Sequence, residues 1–252
     1  MTCAAIFKWN PFIPAEPNAN SEFVLNQRLA THGADLLKLI DLTHTIIPDM
    51  PQWPDDRQPL DIHRHSLHGP GNHMSSSLEF GCHIGTHIDA PLHFLAGQPG
   101  IDLLPVDRFV GKGVVIRAGD GESPGAIGPE SCDGVDLKTV DFVLFDTGWD
   151  RHWGTDRFYR EWSFLSVELA ELLAEAGLKG VGLDTPSLDS FGGQAAHDIC
   201  APAGMINIEN LANLGALPRE GFTLLVLPLK LEGTEASPVR AVALVPDKME
   251  IE

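Results

Sequence analysis

Short apolar runs bounded by Gly, Pro or Asp recur along most of the chain and are separated by polar stretches. Residues 36–42, Leu-Leu-Lys-Leu-Ile-Asp-Leu, are typical of a buried strand. Further runs rich in Val and Leu predict strands at residues 113–117, 142–146, 180–183, 223–227 and 239–245. The pattern indicates a domain that contains more sheet than helix.

One amphipathic helix is predicted between residues 166 and 177. Its apolar side chains repeat at positions i, i+3, i+4 and i+7: Leu169, Leu172, Leu173 and Ala176. Ser166 can cap the first turn, Glu168 suits the positive end of the helix dipole, and Gly177 ends the helix. A second, shorter helix is expected over residues 208–214. Strands with few helices between them point to a mixed α/β domain.

The first 35 residues differ from the body of the chain. Pro11, Pro14 and Pro17 interrupt this segment, and a short helical stretch is expected over residues 22–30. We therefore predict an N-terminal arm over residues 1–35 that lies over the domain or over a partner subunit. Residues 36–252 are predicted to form one domain, because 252 residues suit a single large domain.

The charge balance excludes some classes of partner. The net charge is −18, from 17 Lys and Arg against 35 Asp and Glu, so phosphate backbones and anionic lipids are repelled. We expect neither a nucleic-acid partner nor a membrane partner. Four scattered cysteines form no Cys-x-x-Cys pair, and neither a secretory signal nor an apolar stretch of about 18 residues occurs. These features indicate a cytoplasmic protein.

The densest group of chemically active side chains contains three histidines and an aspartate within eleven residues: His83, His87, Asp89 and His93. Glycines and a proline in this segment oppose a helix. In an extended segment, spacings of four and two turn His83, His87 and Asp89 to the same side. An extended or looped segment can therefore offer all three to one cation. Two imidazoles and a carboxylate suit zinc or manganese, and three protein ligands with an open position are typical of a catalytic metal.

Other candidate residues carry weaker signals. His93 follows a turn at Pro91 and is either a further ligand or a proton shuttle. His197 and Glu209 form a late pair, but Glu209 equally suits the first turn of a helix. The Asp-Thr-Pro turn at residues 184–186 suits either the rim of a site or a structural role. A Gly-rich phosphate loop and a Gly-x-Ser-x-Gly elbow do not occur, which disfavours a serine nucleophile.

Residues 83–93 closely resemble the His-x-Gly-Thr-His-x-Asp-x-Pro-x-His signature of the cyclase superfamily, which includes bacterial kynurenine formamidases and isatin hydrolases. Supporting matches lie at residues 41–44, 53–54, 183–186, 208–211 and 237–242, in the same order as in the family. The resemblance implies a swivelling β/β/α domain of the α/β class. It also implies a homodimer or a homotetramer.

The resemblance further implies a ligand set for one or two divalent metal ions per chain, Zn²⁺ or Mn²⁺. One metal would lie on His83, His87 and Asp89. In the formamidases the equivalent of Asp89 bridges to a second metal, held here by His197 and Glu209. By the same resemblance His93 would be the catalytic acid/base, which is a more definite role than the spacing alone supports.

The resemblance also places Trp53 where an aromatic residue flanks the substrate ring in formamidases. The chain departs from the family at two points near the expected specificity region. Its arm is longer, and the usual Trp/Phe-Pro-Gly-Asp turn reads Trp-Pro-Asp-Asp at residues 53–56, without the glycine. Both departures favour a cyclic amide over the formamidase substrate.

The combined prediction is a metal-dependent amidohydrolase acting on carbon–nitrogen bonds other than peptide bonds. It would open an amide or lactam of a small molecule, in the manner of isatin hydrolase, by metal-activated water with a histidine acid/base. One alternative is an aryl formamidase acting on N-formylkynurenine. An alternative from another class is a metal-stabilised binding protein without catalytic activity.

Overall fold

The computed structural model describes residues 28–29, 37–48, 50, 52–54 and 60–247. Two helices lie in this part of the chain, α1 (Val167–Ala176) and α2 (Ala195–Cys200). The strands are β1 (Arg28–Leu29), β2 (Leu37–Asp41), β3 (Asp61–Ser66), β4 (Ser75–Glu79), β5 (His87–Asp89), β6 (Val110–Arg117), β7 (Ala126–Ile127), β8 (Phe142–Asp146), β9 (Phe164–Leu165), β10 (Gly180–Leu183), β11 (Ile206–Glu209), β12 (Phe222–Pro228) and β13 (Ala236–Pro246).

Nine of these strands form one sheet in the order β1-β2-β13-β12-β6-β8-β10-β11-β5. Strand β5 also pairs with β13, so the seven strands from β13 to β5 close into a barrel. The neighbours β6, β8, β10 and β11 run parallel, and the other pairs in the barrel are antiparallel. Asp89 lies on the closing strand, opposite Asn207 on β11 and Ala236 on β13.

Two apolar clusters cover the two faces of the parallel strands, because side chains alternate along each strand. One cluster draws on β5, β6, β8, β11, β12 and β13 and includes Ile88, Phe142 and Leu144. On this face β10 presents Gly182, where an added Cβ would lie 2.8 Å from side-chain atoms of Leu144 and Leu211. The second cluster packs the opposite face against α1 and α2, with Leu169 fully buried. The helices therefore cover one side of the barrel.

The predicted strands agree with β2, β6, β8, β10, β12 and β13, and the ranges 142–146 and 180–183 match residue for residue. Helix α1 lies where its periodicity predicted it. The Ser166 hydroxyl accepts a hydrogen bond from Leu169 N at 3.2 Å, and Gly177 takes the left-handed conformation with φ 75°.

The helix expected over residues 208–214 is wrong. Residues 206–209 form β11, fully buried between β10 and β5, and a short 3-10 turn follows at Leu214–Ala216. A strand buried on both faces lacks the polar alternation that would identify it, so a short apolar run can equally suggest a helix. The structure instead has α2, whose six residues are too few to show a helical period.

The expected mixed α/β domain with more sheet than helix agrees with this architecture, whereas the swivelling β/β/α description is not confirmed by the closed barrel. Within the predicted arm, Arg28–Leu29 pairs antiparallel with β2, although a helical stretch was expected there. The rest of the arm lies outside the described residues. Across the described part of the chain, no helix is long and apolar enough to cross a membrane.

Candidate metal centre

Strands β5 and β11 bring the first candidate ligands together. His87 and Asp89 are two positions apart on β5, so both side chains project from the face opposite to that of Ile88, which is fully buried in the apolar cluster. Glu209 on β11 lies directly opposite His87 in the antiparallel register. The pairing therefore places a carboxylate from late in the chain beside the early histidine, with 3.3 Å between His87 Nε2 and Glu209 Oε2.

His83 reaches the same place through a turn. Of the extended or looped segment that the sequence predicts, residues 82–86 turn and bend, and residues 87–89 form the extended strand β5. Gly85 takes φ 61°, a left-handed conformation that glycine adopts at little cost. The turn brings His83 Nδ1 to 2.9 Å from Asp89 Oδ1.

The structure joins the early and late candidates into two triplets that share Asp89: His83, His87 and Asp89; and Asp89, His197 and Glu209. Within each triplet the possible ligand atoms all lie within 4.8 Å of one another. His197 Nε2 lies 3.3 Å from Glu209 Oε1 and 3.9 Å from Asp89 Oδ2. Glu209 belongs to a buried strand, so its interpretation as a helix-terminal carboxylate is wrong.

The unmet lone pairs of this cluster fit a divalent cation. His87 Nε2, Asp89 Oδ1 and Glu209 Oε1 are buried and have no hydrogen-bond partner among the described residues. Asp89 Oδ1 lies near His83 Nδ1 but without the geometry of a hydrogen bond. Leaving buried polar atoms unpaired is costly, and nitrogen and oxygen donors converging on one point suit a borderline-soft cation. The residues present therefore fit the expected metal.

The carboxylates of the site hold protons on two of its histidines. Burial alone would lower the pKa of His197, but the hydrogen bond that its Nδ1 donates to Asp189 and the negative charges of Glu209 and Asp89 raise it to about 10. Burial likewise opposes protonation of His83, yet Asp89 above all raises the pKa of His83 to about 9. Burial would raise the pKa of Asp89, but His83 and then His87 hold it well below its usual range. A pocket that holds protons this strongly also attracts a metal cation.

Each imidazole also contacts an acceptor on the side away from the shared carboxylate. The distances are 2.8 Å from His87 Nδ1 to Gly85 O, 2.7 Å from His197 Nδ1 to Asp189 Oδ2, and 3.3 Å from His83 Nε2 to Glu235 Oε1. An acceptor on one ring nitrogen keeps the proton there and leaves the lone pair of the other nitrogen free to bind a metal.

Asp189 and Glu235 were missed by the sequence analysis. Asp189 also accepts hydrogen bonds from the backbone N–H groups of Ala196 and His197, at 2.8 and 3.2 Å, so the same carboxylate holds the start of α2. A carboxylate ahead of a helix would have been a usable signal, but α2 was not predicted. Glu235 precedes β13 and approaches His83 only because the barrel closes.

His93 lies on a 3-10 turn at Pro91–His93, next to the triplets. Its ring centroid is 4.3 Å from that of His83 and 6.4 Å from that of His197. Partial burial lowers its pKa, which favours the neutral ring that can accept a proton. The ring borders a cavity of about 450 Å³ that contains every predicted site residue: Trp53, His83, His87, Asp89, His93, His197 and Glu209.

The far wall of the cavity is aromatic. Trp53 stacks on Phe191, with centroids 5.5 Å apart and planes 9° apart, and meets the edge of Tyr159 at 5.9 Å. Phe94 stacks on His197 at 4.1 Å. Of these, only Trp53 was predicted. Asp55 and Asp56, where the chain departs from the family turn, lie outside the described residues.

Other polar residues lie away from the cluster. His63 and His65 are exposed on β3 and contact Asp61 and Ser77. Asp184 is fully buried, and its carboxylate is bonded to residues of another loop. The residues that follow it, Pro186 and Ser187, do border the cavity.

Comparisons with known proteins show what the chain is similar to. The sequence profile of the Cyclase family matches residues 40–190. The kynurenine formamidase of Salinibacter ruber is 32% identical over 215 residues, covering 82% of this chain and 97% of that protein. A kynurenine formamidase of Bacillus cereus is 32% identical over 206 residues, covering 81% and 95%. Among solved structures, isatin hydrolase A from Labrenzia aggregata superposes with a TM-score of 0.76 at 27% identity, covering 84% of this chain and 94% of that one.

Proposed function

This chain belongs to the cyclase family, and from that premise we propose that it is a metal-dependent hydrolase that opens an amide or lactam bond of a small aromatic molecule. It acts on carbon–nitrogen bonds other than peptide bonds, as its relatives are named for doing. The single observation that carries the proposal is the pair of largely buried ligand triplets sharing Asp89, set beside His93 in an aromatic-walled cavity.

The triplets define where cations would bind. His83, His87 and Asp89 would hold the first, and Asp89 would bridge to a second held by His197 and Glu209. The mixture of imidazole and carboxylate donors suits zinc or manganese. A bound divalent cation would act as a Lewis acid that activates a water molecule and polarises the carbonyl oxygen of the amide.

The protein side chains supply the proton transfers and the orientation. His93 borders the cavity beside the first triplet, where its neutral ring can take a proton from the attacking water. The same ring can return that proton to the departing nitrogen, which must be protonated for the carbon–nitrogen bond to break. Trp53 and Tyr159 offer flat apolar surfaces that can hold an aromatic substrate with its carbonyl toward Asp89.

A cyclic amide is the preferred substrate class, and an N-formyl aromatic amine is the alternative. The similarity of fold to isatin hydrolase A supports the first, as does the missing glycine after Pro54. The 32% identity to a kynurenine formamidase over almost its whole length supports the second. Both substrates place a planar ring next to the bond that is cleaved, which fits the aromatic wall.

The test is a paired measurement on the full chain: metal content by elemental analysis, then hydrolysis of isatin and of N-formylkynurenine by the metal-loaded protein. Ring opening of isatin would support the cyclic amide, and release of formate would support the formamidase. A preparation that binds metal but cleaves neither probe, nor other amides and lactams, would favour the metal-stabilised binding protein. Absence of bound metal would contradict the proposal. Sedimentation of the same sample tests the predicted homodimer or homotetramer.

A further inference from the structure

Asn210 connects the two groups of candidate metal ligands. It follows Glu209 directly and is 1% exposed. Its side-chain Nδ2 donates a hydrogen bond to Gly85 O at 2.9 Å, and its own carbonyl oxygen accepts one from Thr86 Oγ1 at 2.6 Å. The end of β11 is therefore bonded at two points to the turn that lies between His83 and His87.

The Gly85 carbonyl is the point where this connection reaches the site. The same oxygen that accepts from Asn210 Nδ2 also accepts from His87 Nδ1, at 2.8 Å. With its Nδ1–H engaged there, His87 directs Nε2 toward Asp89 Oδ1 at 3.6 Å and Glu209 Oε2 at 3.3 Å. The position of one backbone carbonyl thus determines where the lone pair of His87 points.

That carbonyl lies outside the sheet. Gly85 lies in the bend before β5 with φ 61°, so its carbonyl is not part of a strand ladder. The second donor, Asn210 Nδ2, is what ties it to the barrel. The Gly85 carbonyl thus accepts one hydrogen bond from the His87 ring on β5 and a second from the Asn210 side chain at the end of β11.

The backbone at residue 210 explains why asparagine suits this position. Asn210 has φ 57°, a left-handed conformation that asparagine and glycine tolerate better than other residues, and its N–H donates to Thr185 O at 3.0 Å. Glycine would satisfy the backbone equally well but would offer no donor to Gly85. Of the two residue types, only asparagine supplies the side-chain donor that Gly85 O accepts.

We propose that Asn210 is a positioning residue for the first cation: by holding the Gly85 carbonyl, it fixes the tautomer and direction of His87 and keeps Glu209 in register with it. This inference rests on the metal centre of the proposed function. It assigns to Asn210 a role in cation affinity, since partners that orient a ligating histidine typically change affinity about 10- to 100-fold.

The chain contains a matched control three residues away. Asn213 has φ 56°, and its Nδ2 donates to a backbone carbonyl, that of Asp41, at 3.0 Å. The conformation and the type of bond are the same as at residue 210. Asn213 is exposed and bonds to the end of β2, outside both triplets. Removing its side chain costs a similar bond without touching a candidate ligand.

The experiment compares Asn210→Gly, Asn210→Asp and Asn213→Gly with the wild type. Metal-free protein is titrated with Zn²⁺ and with Mn²⁺ against a chromogenic chelator, and the absorption spectrum of the Co²⁺-loaded protein is recorded. We expect the dissociation constant of the first cation to rise on the order of 10-fold in Asn210→Gly, with a changed Co²⁺ spectrum. Asn213→Gly should match the wild type in both.

Asn210→Asp separates positioning from charge. A carboxylate cannot donate to Gly85 O, so positioning predicts weaker cation binding, whereas simple charge attraction to the added carboxylate predicts tighter binding. This variant keeps the volume of the side chain and carries the test if Asn210→Gly does not fold. The unfolding temperature of each metal-free variant shows whether it is folded.

Wild-type affinity and an unchanged Co²⁺ spectrum in both Asn210 variants would overturn the proposal. So would an equal loss in Asn213→Gly, which would indicate a general effect on the loop. The outcome is separable from that of the proposed function because the titration contains no substrate. A wild type that binds cation but hydrolyses no amide contradicts only the function, whereas Asn210 variants of normal affinity in an active enzyme contradict only this inference.

Discussion

Two carboxylates are deeply buried on the same barrel, and their surroundings differ. Asp184 at the end of β10 accepts hydrogen bonds from Thr147 N at 3.1 Å, Thr147 Oγ1 at 2.6 Å and Trp149 N at 2.9 Å. Both of its oxygens are therefore bonded. Asp89 on β5 is equally buried, yet its Oδ1 and the neighbouring Glu209 Oε1 have no hydrogen-bond partner among the described residues.

The different surroundings also shift the pKa values of Asp184 and Asp89 in opposite directions. Burial raises the pKa of Asp184 to about 7 against the opposing hydrogen bond from Thr147, and the negative charges of Asp146 and Asp150 add to the rise. The imidazoles of His83 and His87 outweigh burial at Asp89 and hold its pKa well below the usual range. A buried carboxylate whose oxygens are all hydrogen-bonded, like that of Asp184, fits a structural role. A buried carboxylate with an unpaired oxygen among imidazoles, like that of Asp89, is what a cation site would require. Four substitutions test this contrast.

Asp89→Asn should have the largest effect, because Asp89 belongs to both triplets. We expect both cations to be lost by elemental analysis and hydrolysis to fall to background. Added Zn²⁺ or Mn²⁺ should raise the unfolding temperature of the wild type and not that of the variant, since a ligand stabilises only the protein that binds it. Metal-free Asp89→Asn should unfold at a lower temperature than metal-free wild type near pH 7, because the low pKa of Asp89 means that its ionised form stabilises the fold, and its loss leaves the imidazole of His83 without its partner. An Asp89→Asn protein with its full metal content would contradict the shared-ligand assignment.

His93→Ala should lower kcat by about 10²- to 10⁴-fold, the usual range for a general acid–base residue. Metal content should not change, because His93 belongs to neither triplet. His63→Ala is the matched control, a histidine with 58% of its side chain exposed on β3, away from the cavity. If the variant loses metal as well as activity, His93 is a metal ligand. If turnover stays near normal, the assigned role in proton transfer is wrong.

Asp189→Asn should weaken binding of the second cation about 10- to 100-fold. The affinity for the first cation should not change, because Asp189 orients only His197. Two-phase titration against a chelator measures both affinities. The control is Asp198→Asn, an exposed carboxylate on α2 that bonds to Gln194. Equal weakening of both cations would mean that α2 supports the whole centre rather than one ligand.

Asp184→Asn should have the smallest effect on the chemistry. An amide nitrogen in place of a carboxylate oxygen would face the N–H of Trp149 or Thr147, so the free energy of unfolding should fall by about 1–3 kcal/mol. Metal content and hydrolysis rate at a temperature where the variant is folded should equal those of the wild type. Denaturant titration measures the free energy of unfolding, and elemental analysis measures the metal content. A loss of metal would show that Asp184 and Asp89 are coupled.

The two halves of the candidate site differed in how far the sequence predicted them. His83, His87 and Asp89 lie within seven residues, so their spacing alone suggested a metal. His197 and Glu209 were weak candidates until the family signature connected them, and Glu209 was expected on a helix. Their proximity depends on α2 and on the pairing of β11 with β5, neither of which leaves a periodic pattern in the sequence.

The sequence did not predict the residues that contact and orient the candidate metal ligands. Asp189 and Glu235 act on imidazoles that only folding brings near, and Asn210 reaches Gly85 across 125 positions. A single carboxylate or amide in a loop has no distinctive spacing. Such residues become recognisable only when the hydrogen bonds they make are known.

By itself the sequence determined the elements with a local signal. These are the strands at 142–146 and 180–183 and helix α1 between its Ser166 cap and Gly177. The spacing within residues 83–89 likewise suggested a metal site. Only the tertiary structure decided that β5 closes a barrel, that residues 206–209 are a strand, and that Glu209 lies opposite His87. Propensity, capping and ligand spacing act over a few residues, whereas strand pairing and burial depend on partners far along the chain, and these override local preference.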